Sequence, residues 1–335
     1  MTTVFVSHPQ SKLAHYFGDR AIEALKAVAG VRFNPGDTDL SSSELAALAG
    51  DCEVIISYRQ TVGDEALFAA LPRLLAFVRC AIDIRNIDVA AASRHGVLIT
   101  QASAGFIPSV SEWIIGVMID LSRHISATTA LYHAGQPVAA TMGRELRGAT
   151  LGVIGFGQIS RYLCDVALAL GMRIVVHDPY TPTGRKELEQ AELLPLLQRS
   201  DYVVCLAAAT PATENMMNAA TFGVMKPGAF FINASRGNLV DEDALLAALD
   251  AGTIAGCAVD VGRAPDQMPS PRVAAHPRVI ASPHIGGLTP PAVEHQALET
   301  VAQVAELLQG RAPQGAVNAQ QATRWRQATR APQAA

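Results

Sequence analysis

"LGVIGFGQIS", residues 151–160, runs directly into "RYLCDVALALGMRIVVHD", residues 161–178. An apolar run ends on Gly155, a second glycine stands at 157, an amphipathic stretch follows, and a second apolar run ends on Asp178. This order reads as strand, tight turn, helix, strand. Gly155 permits the turn, and Gly157 lets the backbone approach a pyrophosphate resting on the helix N-terminus. Asp178 is placed to bind the adenosine ribose hydroxyls. Its charge repels a 2′-phosphate, so NAD is expected rather than NADP. Ser160 stands at the third glycine position, where a small residue is needed for helix–strand packing. Two glycines alone are a weak signal; with both strands, the helix and the acid in register, the signal is strong.

The alternation continues on both sides. After Asp178 come "YVVCLA", "AFFINA" and "GCAVDV", each separated by a helical stretch. Before it, "TVFVS", "VRF", "EVIIS", "AFVR" and "GVLIT" alternate with helical stretches such as "SKLAHYFGDRAIEALKAVAG". "SSSELAALAG" opens on a capping-box pattern, Ser41 to Glu44, and ends on glycine. Strands that alternate with helices imply parallel sheets covered on both faces. The fold class is therefore α/β with two doubly wound domains. "SVSEWIIGVMIDLSRHISATTALYHAG" reads as one long helix between the two series, and "TPPAVEHQALETVAQVAELLQG" as the final helix. The remainder is rich in Ala, Gln, Arg and Pro and is expected to be an extended arm or disordered tail. Trp325 is its one candidate for docking.

The chain has 335 residues, half of them hydrophobic, which suffices for two domains with sizeable cores. A net charge of −4 with scattered arginines argues against nucleic-acid or anionic-membrane partners. The first apolar run is too short for a signal peptide, and no stretch reaches membrane-spanning length. The five cysteines lack CxxC spacing, so neither a disulfide framework nor a structural metal site is expected. These features suggest a cytoplasmic protein.

Three polar residues fall where strands of the second series end: Arg236 after "FFINAS", Asp260 ending "GCAVD", and His284 in "SPHIGG". In an open parallel sheet, ligands bind outside the carboxyl ends of the strands. An arginine fork suits a carboxylate, and a histidine suits proton transfer near neutral pH. Beside a nicotinamide, these groups fit reversible oxidation of a hydroxy acid.

The motifs "GFGQIS" with Asp178, "MKPGAFFINASRGNLVDEDAL", "GCAVDV" and "SPHIGGLT" resemble those of the D-isomer-specific 2-hydroxyacid dehydrogenases, over about residues 50–318. The resemblance implies a Rossmann NAD-binding domain, residues 104–286, inserted into a flavodoxin-like substrate domain. The latter is formed by residues 1–103 and a return helix at 287–318, with a tail at 319–335. It implies that Arg236 anchors the substrate's carboxylate and carbonyl, that His284 is the acid and base, and that Asp260 lies near the nicotinamide carboxamide. The cofactor site is implied to take in Gly155, Phe156, Gly157, Gln158, Ile159, Asp178, Pro179, Ala207, Thr213, Ala234, Ser235, Asp260, Gly286 and Gly287. Substrate contacts are implied at Arg59, Ala81, Ile82, Asp83 and Arg236. The family pairs its histidine with a glutamate, yet "DVGRAPDQMPSP" has none; Asp266 is the carboxylate nearest that place and is expected to orient His284. The long helix from about Ser109 resembles the family's dimer-forming element, so a homodimer is expected.

The substrate loop "RCAIDIRNIDV" departs from the family pattern: Ala81 and Asp83 stand where glycines or other small residues are common, and Arg85 where an acid is common. Either Arg85 or Arg59 neutralises Asp83, or Asp83 bonds its own loop. Three functions follow. The first is an NAD-dependent D-2-hydroxyacid dehydrogenase working mostly as a 2-keto acid reductase. The second is a hydroxypyruvate- or phosphoglycerate-type enzyme taking a more polar or phosphorylated hydroxy acid. The third is a non-catalytic NAD-sensing protein on the same fold.

Overall fold

Five short apolar runs form the first parallel sheet: β1 (Thr3–Val6), β2 (Gly30–Phe33), β3 (Val54–Ser57), β4 (Ala76–Arg79) and β5 (Leu98–Gln101). Their order is β2-β1-β3-β4-β5, that of a flavodoxin-like sheet. Helices α1 (Gln10–Tyr16), α2 (Asp19–Val28), α3 (Ser42–Ala49), α4 (Glu65–Ala70) and α5 (Val89–Arg94) connect them. Side chains alternate along each strand. Val4, Val6, Val54, Ile56 and Val78 face one core with Leu25 and Phe17. Phe5, Ile55, Phe77 and Ile99 face the other with Leu45, Leu67 and Phe68. Each large side chain so buried contributes about 1.5–3 kcal/mol. Ser41 and Glu44 do form the capping box read from the sequence.

The stretch read as one helix at residues 11–30 is two helices. Gly18, at φ 83°, separates α1 from α2. The helix read at 109–135 also divides, into α6 (Ile107–Arg123) and α7 (Ile125–His133). His124 takes a left-handed conformation at φ 57° between them. The Asp120 carboxylate accepts the N–H of Ser126 at 2.8 Å, which restarts the helix in a new direction.

The second sheet is formed by β6 (Thr150–Ile154), β7 (Arg173–His177), β8 (Leu188–Gln190), β9 (Tyr202–Cys205), β10 (Phe230–Asn233), β11 (Gly256–Val259) and β12 (Val279–Ala281). The order β12-β11-β10-β9-β6-β7-β8 is all parallel and reverses direction at β6 and β9. Connecting helices are α8 (Gln158–Ala169), α9 (Leu193–Arg199), α10 (Ala219–Gly223), α11 (Glu242–Asp250) and α12 (Pro271–Ala274). β8 and β12, of three residues each, escaped the sequence reading: β8 carries one apolar residue, and β12, though apolar throughout, is too short to stand out.

Two more helices follow, α13 (Pro290–Leu308) and α14 (Thr323–Arg330). The computed structural model describes residues 2–330, without the side chains of Asp266 and Arg330. The described chain forms two compact units. Unit 1 takes the residues up to Phe106 and those from Pro290 onward; unit 2 is Ile107–Thr289. These crossings lie three residues beyond those expected at 103/104 and 286/287.

The expected arm or disordered tail is instead docked structure up to residue 330. Trp325 is buried in unit 1's core, and its indole N–H donates to the Leu307 carbonyl at 3.2 Å. Asn318 accepts from Ile99 N–H and donates to Val97 O, and Arg324 reaches Leu71 O. Composition missed this because polar side chains bonded to backbone, rather than apolar area, hold most of the segment. Residues 331–335 lie outside the described part. All five cysteines are buried free thiols, and burial pushes those of Cys205 and Cys257 up to about 12.

Candidate active site

Six of unit 2's parallel strands end in the residues singled out from the sequence. In spatial order along the carboxyl edge these are His284 beyond β12, Asp260 after β11, Arg236 beyond β10, Ala207 beyond β9, Gly155 after β6 and Asp178 after β7. Neighbouring strands lie about 4.8 Å apart. The edge is therefore a graded row, with the acid at one end, the phosphate turn at the strand-order reversal, and the arginine and histidine at the other end.

The phosphate turn meets its requirements atom by atom. Gly155 has φ 90°, and a Cβ there would lie 2.8 Å from Ala207 Cα and N and from Leu206 O. Gly157 begins α8 without a side-chain cap, and a Cβ there would meet nothing within 4 Å. The first glycine is demanded by close packing; the second faces open space at a helix N-terminus whose N–H groups suit an anion. Phe156 is buried, with the Arg161 guanidinium 4.4 Å from its ring centroid. Ser160 is buried as expected for a packing position, and its hydroxyl has no hydrogen-bond partner among the described residues.

Asp178 accepts three backbone N–H groups: Phe156 at 2.7 Å, and Tyr180 and Thr181 at 2.9 Å each. Burial pushes its carboxyl up, but the amides of Tyr180, Phe156 and Thr181 outweigh burial and hold it below the usual carboxylate range. It is ionised at neutral pH, and a carboxylate with about four acceptor positions keeps one for a ribose hydroxyl. The turn and the acid together fit an NAD dinucleotide. Asp178→Ser is expected to narrow the preference for NAD over NADP by at least about tenfold. Steady-state kinetics with both cofactors measure this, and an unchanged ratio would remove Asp178 from cofactor selection.

The segment "NASRG" answers to packing as well as to chemistry. Asn233 ends β10, accepts the Ser235 N–H, and donates to the Arg236 carbonyl at 3.0 Å. The Ser235 hydroxyl donates to Ala207 O at 2.6 Å and ties this loop to the β9 loop. Thr213 closes that β9 loop through Ala208 O at 2.7 Å. A Cβ on Gly237 would lie 2.2 Å from the Gly262 carbonyl carbon and oxygen, so Arg236 must be followed by glycine. Arg236 is half-buried, and one guanidinium N–H donates to Ser235 O at 2.8 Å. Arg236→Lys keeps the charge but loses the planar fork. Its expected effect is a loss of about tenfold or more in kcat/KM for a 2-keto acid, with the melting temperature unmoved. Wild-type kinetics, or loss of the fold, would return Arg236 to a purely structural role.

Asp260 holds the histidine loop. It is buried, its Oδ1 accepts Ser282 Oγ at 2.6 Å and Ile285 N–H at 2.9 Å, and its Oδ2 accepts Gly286 N–H at 2.8 Å. A Cβ on Gly286 would press on Asp260 Oδ2 at 2.8 Å, so the glycine is what lets its amide reach the carboxylate. The three bonds bracket His284, which sits half-buried at φ 57°. A side chain rarely rests in that conformation unless its surroundings over-determine it. Ser282 was the missed member, and its signal was present: a hydroxyl two residues before the histidine. Arg263, from the same loop as Asp266, donates to Glu214, Asn215 and Val240 O and anchors that loop. The Asp266 side chain lies outside the described part.

In unit 1, Asp83 and Arg85 form a fork within their own loop. Arg85 Nε donates to Oδ1 at 3.0 Å and Nη2 to Oδ2 at 2.6 Å, while the Arg85 backbone N–H also donates to Oδ1. Arg85 is thus one partner that neutralises Asp83, and the Asp83 carboxylate also bonds the backbone of its own loop. Ala81 is half-buried and Ile82 exposed. Arg59 follows β3, its guanidinium 5.9 Å from the Tyr16 ring centroid. Among the described residues, no three His, Cys, Asp or Glu side chains gather as a metal site, and no helix is long and apolar enough to cross a membrane.

Residues 115–286 match the family description "D-isomer specific 2-hydroxyacid dehydrogenase, NAD binding domain". The chain is 32% identical over 316 residues to D-3-phosphoglycerate dehydrogenase 3, chloroplastic, of Arabidopsis thaliana, covering 93% of this chain and 53% of that protein. It is 32% identical over 305 residues to (S)-sulfolactate dehydrogenase of Chromohalobacter salexigens, covering 90% of this chain and 98% of that one. The apo-structure of D-lactate dehydrogenase from Escherichia coli superposes with a TM-score of 0.80 at 24% identity, over 95% of this chain and all of that one. This chain belongs to the D-isomer-specific 2-hydroxyacid dehydrogenase family, and its unit 2 contains the family's NAD-binding domain. It spans about half the length of the phosphoglycerate dehydrogenases it matches.

Proposed function

We propose that the protein is an NAD-dependent D-2-hydroxyacid dehydrogenase that works mainly as a 2-keto acid reductase. The observation that carries this reading is the row of strand ends in unit 2, where the phosphate turn, Arg236 and the Asp260-held His284 loop share one sheet edge. The site takes the cofactor through Gly155–Ile159, Asp178 with Pro179, and the β9 and β10 loops at Ala207, Thr213, Ala234 and Ser235, with Gly286 and Gly287. When bound, NADH supplies the hydride. Arg236 pairs with the substrate carboxylate and draws electron density toward the carbonyl oxygen. His284 gives that oxygen its proton on reduction and removes it on oxidation, with Asp266 as its carboxylate partner. Arg59, Ala81, Ile82 and Asp83 of unit 1 contact the substrate.

A second reading, a hydroxy acid bearing another anionic group at C3, is favoured by the similarity to D-3-phosphoglycerate dehydrogenase and (S)-sulfolactate dehydrogenase and by Arg59 just beyond β3. The protein is read as cytoplasmic and homodimeric. Ile125, Leu131, Tyr132 and Met142 are exposed along and beyond α7, an apolar surface suited to a second copy.

The test is NADH oxidation against glyoxylate, pyruvate, hydroxypyruvate and 3-phospho- and 3-sulfo-substituted 2-keto acids. Asp83 stands where a small residue is common in the family and Arg85 where an acid is common, so glyoxylate is expected to be among the poorest and a larger polar keto acid the best. Glyoxylate as the best substrate would sever the loop from substrate choice. NADH binding without turnover of any would favour a cofactor sensor.

A further inference from the structure

The last residue of β4, Arg79, is an arginine with no exposed surface. Burial lowers its pKa only to about 10, so it is charged at neutral pH. Among the described residues it forms no ion pair. Three of its N–H groups donate to oxygens, Nη1 to the Tyr58 carbonyl and Nη2 to the Thr61 carbonyl at 2.8 Å and to Asn86 Oδ1 at 2.7 Å, while the buried Nε has no partner among the described residues. Asn86 completes the arrangement. Its amide donates to Arg59 O at 3.1 Å and Thr61 O at 3.3 Å, and its own carbonyl accepts from Gly63 N–H at 3.1 Å. One buried cation and one amide thus hold the backbone on both sides of Arg59, and join it to the far end of the loop that begins at Ala81. A lysine cannot do this, because three acceptors in different directions need the planar, multi-donor fork.

We propose that Arg79, acting with Asn86, is a positioning residue for substrate binding: it fixes the Arg59 segment and the 81–86 loop to each other. This rests on the reading that these two segments contact a 2-keto acid. Arg79 touches no substrate itself. Burial and the neighbouring Arg79 charge lower the His8 pKa to about 3, so the imidazole beside it stays neutral and adds no second charge.

The test pairs Arg79→Lys with Arg79→Met, each measured in two ways. Amide hydrogen exchange should quicken by about tenfold or more at residues 58–63 and 84–88 in both variants, with β1 and β5 unchanged. In kinetics on the best keto acid, KM should rise by about tenfold or more while kcat moves less than about threefold and NADH affinity stays put. Faster exchange spread evenly over unit 1 would mark Arg79 as a general stabiliser and overturn the proposal. So would unchanged KM in a variant whose loops have loosened. If the wild type reduces no keto acid but the loops loosen locally, the clamp stands and the dehydrogenase reading falls. If Arg79→Met does not fold, Arg79→Lys decides alone.

Discussion

His284→Asn is expected to lower kcat for 2-keto acid reduction by about 10²–10⁴-fold, the usual contribution of a positioned acid or base. Asparagine is the suitable replacement because His284 sits at φ 57°, a conformation that asparagine tolerates better than most residues. The Asp260 bonds to Ser282, Ile285 and Gly286 do not involve the imidazole, so the loop should keep its shape. NADH affinity, read by fluorescence titration, should therefore stay near wild type while turnover collapses. Retention of more than about a tenth of kcat would show that another group or a water moves the proton.

Gly155→Ala is expected to be as damaging by a different route. The added Cβ would lie 2.8 Å from the Ala207 and Leu206 backbone, which cannot swing aside as a side chain could. Placing an L-residue at positive φ costs about 1–2 kcal/mol, and overpacking typically costs about 1–3 kcal/mol. The melting temperature should fall by on the order of 10 °C, and NADH affinity by more than about tenfold, since the displaced turn is the one proposed to receive the pyrophosphate. Gly157→Ala, whose Cβ meets nothing within 4 Å, should spare stability and weaken only the cofactor. Equal melting temperatures for the two variants would contradict this division of labour.

Most of the architecture was legible because it rests on local repetition. Apolar runs alternating with amphipathic stretches give parallel sheets, and the turn at Gly155 with Asp178 could be read from spacing alone. Breaks within helices were not legible. Gly18 and His124 sit inside stretches with good helical pattern, and the breaks show only in the backbone, where both residues take a positive φ. In the site, Arg236, Asp260 and His284 were visible as polar residues at strand ends. Arg79 was equally a polar residue at a strand end, in "AFVR", yet nothing in one dimension separates an arginine that faces a ligand from one enclosed by carbonyls. Asp83 and Arg85, two residues apart, could be anticipated as a pair because their contact is local.

The C-terminal segment also bears on how the chain is made. β5 receives the Gly315 and Val317 backbone and the Asn318 side chain, partners more than 200 residues further along, and the whole of unit 2 lies in between. Unit 2 is a continuous stretch and can form as soon as it has emerged from the ribosome. Unit 1 cannot close its sheet edge or bury Trp325 until almost everything described has been synthesised. The first hundred residues must wait with an open β5 edge, the kind of surface that invites mispairing and chaperone capture. Folding is therefore completed in the order unit 2 first and unit 1 last, although unit 1 is the one begun first.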